Sequence, residues 1–202
     1  MKARTEVYIS VDVETSGPIP GEYSMLSLGA CVLGETAKTF YREFKPISDK
    51  YLPEALQVSG FALEKLRATG IDPEKGMREF ETWIEQTSEG RRPVFTAFNA
   101  AFDWMFVAYY FHRYLARNPF GISGLDMKAY YMGKFHTSWA ETSKRRLDKT
   151  LLSGRKHTHN ALDDAIEQAE IFQKMMEDNK RRPSSRTSTT RRSVPLRQRP
   201  DR

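Results

Sequence analysis

The apolar positions in the first quarter of the chain follow the two-residue period of strands. In the first such segment, β-branched residues occupy alternate positions, so they share one face of an extended chain. Short links that contain glycine separate the segments, and short links favour antiparallel pairing of successive strands. We therefore predict a three-stranded antiparallel meander, formed by residues 6–14, 24–33 and 39–46.

From residue 53 onward, apolar residues recur at the three- and four-residue spacing of helices, with two strand-like segments between them. The clearest helix follows Asp72, a suitable N-cap, and has Pro73 in its first turn. A meander followed by alternating helices and strands predicts an α/β fold with a mixed sheet. The predicted helices are 53–58, 63–69, 73–87, 101–117, 126–133 and about 160–178, and the predicted strands are 93–98 and 122–125.

The positive charge of the chain is concentrated at one end. The 202 residues carry a formal net charge of +6, but residues 179–202 hold nine basic residues and one acid, which leaves residues 1–178 with −2. The segment 179–202 is rich in Arg, Ser, Thr and Pro and has too few apolar residues to offset the entropy cost of ordering. We predict a folded domain at 1–178 and a disordered tail at 179–202. The tail either attracts nucleic-acid phosphates or is only a solvated extension.

Composition narrows the class of protein further. A hydrophobic fraction of 39% is sufficient for a globular core. The chain has no apolar run of the roughly eighteen residues that a transmembrane helix needs, and its first residues lack the features of a signal peptide. The single Cys31 excludes an internal disulfide and a cysteine zinc site. We expect a cytoplasmic protein that does not associate with a membrane.

Two carboxylates lie at the end of the first predicted strand. Asp12 and Glu14 are two residues apart, so their side chains point to the same face of the strand. Like charges this close repel each other unless a cation lies between them. The pair therefore predicts a metal site, and the alternative is a strand end with two solvated acids.

Two further groups of polar residues occur where helices are predicted to begin. Asp103 follows Asn99 in the first turn of one helix, where the helix dipole favours an acid. His159 precedes the last helix, whose first turns carry Asp163 and Asp164. Each group taken alone is also explained as part of a helix start, and the helical phase leaves open whether Asp163 or Asp164 faces a site.

In this order, the three groups resemble the exonuclease motifs of the DEDDh family, which includes bacterial ribonuclease T, oligoribonuclease and the proofreading subunit of the replicative polymerase. The motifs are residues 12–17 (DVETSG), residues 99–103 (NAAFD), and His159 followed five positions later by Asp164. The resemblance spans residues 6–176. It implies a ribonuclease H-like fold with a five-stranded mixed sheet flanked by helices, and it assigns the fourth carboxylate to Asp164.

The resemblance also implies an activity, namely a metal-dependent 3′→5′ exonuclease that releases nucleoside 5′-monophosphates from single-stranded RNA or DNA. Two Mg²⁺ or Mn²⁺ ions per site would support hydrolysis, with His159 as the general base. The resemblance implies nucleic-acid 3′ ends as the partner, and the style of the motifs favours RNA over DNA. A homodimer is compatible with the resemblance. The implied metal ligands are Asp12, Glu14, Asp103 and Asp164, and the implied substrate-binding residues are Thr15, Ser16, Gly17, Met25, Leu28, Asn99 and Phe102.

Several alternatives stay open at this point. Met25, Leu28 and Phe102 are equally explained as core residues. The basic stretch at 144–156 either borders the substrate path or is a solvated loop. The whole protein could instead be a nucleic-acid-binding accessory module with minor turnover, or a hydrolase of small phosphate esters. The complete set of four acids and a histidine argues against the accessory module.

Overall fold

The structure is a computed structural model, and it describes residues 5–155 and 159–178. The predicted tail at 179–202 lies outside the described residues, so its disorder stays a prediction. In the described part of the chain, no helix combines the length and the apolar character that crossing a lipid bilayer requires.

Within the described residues, the strands form one five-stranded mixed sheet with β1 at its centre. On one side of β1 lie β2 and β3, and each pairs antiparallel with its neighbour. On the other side lie β4 and β5, and these pairings are parallel. The predicted meander and the predicted mixed sheet are therefore confirmed. The strands are β1 (Glu6–Thr15), β2 (Met25–Val32), β3 (Glu35–Glu43), β4 (Arg92–Ala97) and β5 (Leu125–Asp126).

Helices cover both faces of this sheet. α3 (Pro73–Ser88) and α4 (Ala100–Leu115) pack on one face through the main apolar core. α6 (Ala161–Glu177) packs across β1 and β2 on the other face. The other helices in the described ranges are α1 (Pro53–Ser59), α2 (Leu63–Thr69) and α5 (Met127–Phe135), with short 3₁₀ turns at Trp139–Thr142 and Lys144–Arg146.

Alternation along β1 decides which helix the first acid pair meets. Val11 and Val13 are buried in the core beneath α3 and α4. Because successive side chains of a strand point to opposite faces, Asp12 and Glu14 are directed to the face that α6 covers. The site is thus built between the central strand and the last helix of the described chain.

β3 differs from its predicted range of 39–46. It begins earlier, at Glu35, because Gly34 adopts a left-handed backbone with φ +82° and closes a tight turn directly after β2. It ends at Glu43, and the next residue, Phe44, instead forms an isolated bridge with Ile71. The apolar pattern beyond residue 43 therefore reflects core packing and not continued strand pairing.

β5 also differs from its predicted range of 122–125. It is only two residues long, Leu125–Asp126, and the chain enters α5 immediately afterwards. The side chain of Asp126 ends the strand because its Oδ1 caps α5, accepting a hydrogen bond from the backbone N–H of Ala129 at 2.7 Å.

Candidate active site

β1 continues beyond the end of its parallel neighbour, and this extension carries the first acid pair. β4 pairs with β1 only as far as Ser10, whereas β2 stays paired with β1 past Asp12 and Glu14. The edge of β1 beyond Ser10 is therefore available to side chains from other elements. Asp12 and Glu14 are both half-buried at this end of the strand.

Asp103 of α4 bonds to this edge of β1. Its Oδ1 accepts a hydrogen bond from the backbone N–H of Val13, the residue between the two acids of the pair, at 3.1 Å. Asn99, with a left-handed backbone at φ 75°, turns the chain from β4 into α4. The first N–H of α4, that of Ala100, donates to Oδ2 of Asp126 at 2.6 Å. Asp126 thus caps both α4 and α5, and the buried Asp103 is directed to β1.

The last acid reaches the cluster because α6 packs very closely on β2. Gly29 lies opposite Asp12 in the sheet, and a Cβ atom there would lie 2.2 Å from backbone atoms in the first turn of α6. Only glycine allows this approach. Asp164 is then buried, at 2% exposure, whereas Asp163 is exposed. The structure thereby answers the question that helical phase left open, since Asp164 is the acid that faces the site.

His159 lies beside two of the acids, directly before α6. The nearest ligand atoms of Glu14, His159 and Asp164 all lie within 4.8 Å of one another. The imidazole is exposed, and its backbone is left-handed with φ 54°. The structure therefore brings the four predicted carboxylates and the predicted histidine together at the end of β1, while their individual catalytic roles stay predictions.

A glutamine that the motifs do not contain completes the arrangement around Asp12. Gln168 donates a hydrogen bond from Nε2 to Oδ1 of Asp12 at 2.6 Å, and its Oε1 accepts one from the backbone N–H of Phe98 at 2.8 Å. The two bonds join β1 to the end of β4 and hold the Asp12 side chain in one orientation. A sequence signal existed: Gln168 is a polar residue one helical turn after Asp164, on the same face of α6.

Burial and the repulsion between neighbouring carboxylates raise the pKa values of the acids in the site. Burial, followed by the charges of Asp103, Glu14 and Asp164, raises the pKa of Asp12 well above its usual range. Burial and then the charge of Asp164 raise the pKa of Glu14 to about 7. Burial raises the pKa of Asp103 to about 8. Such a group of oxygen ligands is suited to a hard divalent cation, whose charge would favour the ionised form of every member.

The raised pKa values predict how the stability of the metal-free protein depends on pH. The folded state retains protons up to about pH 7 to 8, whereas the unfolded chain releases them near pH 4. Because the folded state then binds more protons, the free energy of unfolding falls as pH rises between these limits. We expect the midpoint of thermal unfolding in EDTA to be several degrees lower at pH 8.5 than at pH 5.5.

The change should be measured by calorimetry beside Asp12→Asn, which removes one of the repelling charges and should make the dependence shallower. A midpoint that stays constant or rises between pH 5.5 and pH 8.5 would contradict this electrostatic account of the site.

The residues that follow the acid pair form a tightly bonded turn. Thr15 and Ser16 are buried, and the N–H and C=O groups of Ser16 bond to Ser24 and Leu52 respectively. Gly17 allows the ring of Tyr23 to approach, since a Cβ at this position would lie 2.2 Å from that ring. The predicted contacts of Thr15, Ser16 and Gly17 with a terminal sugar stay predictions. In the structure these residues also shape the turn.

The apolar residues predicted to contact a terminal base occupy different surroundings. Met25 and Leu28 are fully buried in the main core, so in this conformation a base does not reach either side chain. Core packing, the alternative interpretation of both residues, describes their present contacts. Phe102 is half-buried against Phe106, with ring centroids 5.4 Å apart, and Asn99 lines an open cleft beside the site. Phe102 and Asn99 therefore remain accessible candidates.

Part of the basic stretch at 144–156 lies on the same side of the fold as the acids. Lys144 forms an ion pair of 2.6 Å with Glu167, the neighbour of Gln168 on α6. Its ammonium also lies 5.7 Å from the ring centroid of Phe98. Arg155 is bound further along α6, to Glu170 at 2.8 Å. Among the described residues of this stretch, Lys144 has contacts that connect it to the site, whereas Lys156 lies outside the described residues. The place of Lys144 beside the substrate path stays a prediction.

Comparison with known proteins agrees with this geometry. The chain matches the 3′-5′ exoribonuclease Rv2179c-like domain family over residues 7–176. It is 49% identical over 173 residues to the 3′-5′ DNA exonuclease Cap18 of Escherichia coli, and the match covers 85% of this chain and 92% of that relative. A match of this extent shows the family of the chain.

Solved structures with low sequence identity share the fold. A 3′-exonuclease that recognises the 3′ end of a histone mRNA stem-loop superposes with a TM-score of 0.69 at 13% identity, covering 88% of this chain and 67% of that one. S. pombe Pop2p in its Mg²⁺- and Mn²⁺-bound form gives a TM-score of 0.61 at 15% identity, covering 83% and 82%. These likenesses confirm the predicted ribonuclease H-like fold. The chain is therefore a 3′-5′ exonuclease and belongs to the Rv2179c-like family.

Proposed function

We propose that this exonuclease hydrolyses the last phosphodiester bond at the 3′ end of single-stranded nucleic acid and releases nucleoside 5′-monophosphates. The observation that carries the proposal is the meeting of four carboxylates, from β1, α4 and α6, with His159 at one end of the central strand. Phosphodiester hydrolysis requires relief of negative charge at phosphorus, an aligned water and help for the leaving oxygen.

Divalent cations would fit the acids described above. Asp12, Glu14, Asp103 and Asp164 offer only oxygen ligands, which Mg²⁺ and Mn²⁺ prefer. Burial, together with their mutual repulsion, raises the pKa of Asp12, and a bound cation would relieve that repulsion. Pop2p, a protein of the same fold, has been solved with both metals bound. When bound, two such ions would supply the Lewis acidity that charge relief and water activation need.

His159 is the group of this chain that we assign to proton removal from the attacking water. Its ring is exposed beside Glu14 and Asp164, so it is accessible to solvent at the edge of the acid cluster. Gln168 supports the reaction indirectly, because it holds Asp12 in the orientation that places its carboxylate toward the cluster. The acids therefore bind positive charge, the imidazole accepts the proton, and the glutamine orients the central acid.

The preference of the enzyme for RNA or for DNA depends on the sugar of the substrate. The family description names RNA, as the motif style also favours, whereas the relative that is 49% identical is named as a DNA exonuclease. We propose nucleic-acid 3′ ends as the substrate class, and a matched pair of oligonucleotides decides which sugar is preferred.

The experiment is a time course on 5′-labelled single-stranded RNA and DNA of the same sequence, with Mg²⁺, with Mn²⁺ and with EDTA. We expect a ladder that shortens by one nucleotide at a time from the 3′ end with metal and no cleavage in EDTA. The faster substrate identifies the preferred sugar. Cleavage at internal positions, or full activity in EDTA, would contradict the proposed mechanism.

A further inference from the structure

A cleft of about 380 Å³ opens beside the acid cluster, between the start of α4 and the start of α5. The residues that line it include Asn99, Ala100, Asp126, Trp104 and Trp139. The volume is sufficient for a nucleobase with part of its sugar, and the lining is mostly apolar and aromatic. Neither the four acids nor His159 lines this cleft, so the carboxylate mechanism leaves it unexplained.

Neighbouring groups position both tryptophans. Trp104 packs edge-on against the buried ring of Phe95, with centroids 5.1 Å apart. Trp139 starts a 3₁₀ turn that a capping box fixes, because Ser138 and Glu141 bond each other's backbone N–H groups. Because an indole has only two side-chain torsions, it loses little conformational entropy when a ligand stacks on it.

Trp139 is also exposed to an unusual degree for its size. It is 53% exposed, although a large apolar side chain is normally covered in part by its neighbours. The ammonium of Lys128 lies 4.1 Å from the centroid of its ring, a cation–π arrangement that brings a positive charge to the rim of the cleft. An exposed indole beside a positive charge matches the chemistry of a nucleotide, which has a flat base and an anionic phosphate.

The lining of the cleft is connected to the catalytic end of the sheet through the first turn of α4. Asn99 and Ala100 are joined through the first turn of α4 to Asp103, and Asp126 is close enough to raise the pKa of Asp103. Both oxygens of Asp126 accept backbone hydrogen bonds from Ala100 and Ala129, so this carboxylate is already bound by helix N-termini. A strand whose 3′ end reaches the acids could therefore place an upstream nucleotide in the cleft.

We propose that this cleft is a binding site for a base of the substrate strand upstream of the terminal nucleotide, with the base stacked on Trp139 and Lys128 near a phosphate. The inference rests on the proposed function, and it names a second contact region for the same strand. It also answers a problem of charge. Residues 1–178 carry a net charge of −2, so stacking would supply affinity that long-range attraction of a polyanion does not.

The test compares KM for the unaltered enzyme and for Trp139→Ala on two octanucleotides, which carry the sugar that the enzyme prefers. One octanucleotide has all its bases, and the other retains only the 3′-terminal base, with abasic residues upstream. For the unaltered enzyme, we expect a KM roughly tenfold higher on the abasic strand, since stacking contributes about that much per base. Trp139→Ala should raise KM for the complete octanucleotide by a similar factor and should have little further effect on the abasic one.

Two companion variants sharpen the test. Trp139→Phe retains a flat ring and should lie close to the unaltered enzyme. Met132→Ala removes another exposed apolar side chain, 37% exposed on α5, and should change KM on neither strand. A Trp139→Ala protein with the same KM as the unaltered enzyme, or with equal losses on both strands, would overturn the proposal.

Failure of the proposed function would be seen separately. If the unaltered protein with metal shortens neither strand, that function is wrong, and the cleft is then tested by fluorescence anisotropy with the same two octanucleotides. Binding that weakens roughly tenfold in Trp139→Ala for the complete strand alone would still support the cleft. Binding that is indifferent to Trp139 would exclude it.

Discussion

Asp12→Asn should lower kcat by roughly 10³-fold or more, because charge stabilisation by bound metal contributes several kcal/mol and each 1.36 kcal/mol is a factor of ten. Asp12 is the acid whose pKa is raised by the charges of three others, Asp103, Glu14 and Asp164, so it lies at the centre of the cluster. Removing its charge therefore weakens the cation site more than a change at the edge would.

The fold should tolerate this change. Asparagine has the same shape, and its Oδ1 still accepts the hydrogen bond that Gln168 donates at 2.6 Å. Because one repelling charge is lost, the metal-free variant should unfold at a temperature equal to or above that of the unaltered protein at pH 8.5. Single-turnover cleavage of a labelled oligonucleotide, together with thermal unfolding, measures both effects.

Asp163→Asn is the matched control for charge. It removes the same charge from the first turn of α6, but Asp163 is exposed and is not the acid that faces the site. We expect its kcat to remain within about twofold of the unaltered enzyme, since surface substitutions away from special features have small effects. If Asp12→Asn retains more than a tenth of the activity, Asp12 is not a metal ligand.

His159→Ala should lower kcat by about 10²- to 10⁴-fold, the range in which a general base contributes. The loss should leave the Mg²⁺ concentration at half-maximal activity unchanged, because the base accepts a proton and does not bind the ion.

A different role for the histidine gives a different result. The ligand atoms of His159, Glu14 and Asp164 lie close enough together to share one ion. If His159 is a ligand, the variant should need more Mg²⁺ for half-maximal activity, and saturating metal should restore part of kcat. His112→Ala is the control, because His112 is an exposed imidazole on α4 and should leave both quantities unchanged.

Much of the site could be predicted from the sequence, because local geometry relates its residues. Asp12 and Glu14 share a face of β1 since a strand repeats every two residues. His159 directly precedes a helix, and Asp164 follows it five positions later. This spacing is the one found in the DEDDh family that the motifs resemble. The positions of the strands and helices follow from the spacing of apolar residues and from capping residues. The predicted bounds of β3 and β5 differ from the observed ones by a few residues.

Other features depend on residues that are distant in sequence. The bond from Val13 to Asp103 spans ninety positions, and the bond from Gln168 to Asp12 spans 156. No local pattern distinguishes Met25 and Leu28 in a closed core from the same residues at a binding surface, because both environments favour apolar side chains.

The sequence by itself determined the order of the elements, the acid pair on β1 and the position of the histidine before α6, because these depend on neighbours along the chain. The tertiary structure decided which acid of α6 faces the site, which apolar residues are inaccessible, and where two indoles form a cleft. The reason is physical: burial and charge repulsion depend on distances between elements, and those distances exist only after packing, as the close contact of Gly29 with α6 illustrates.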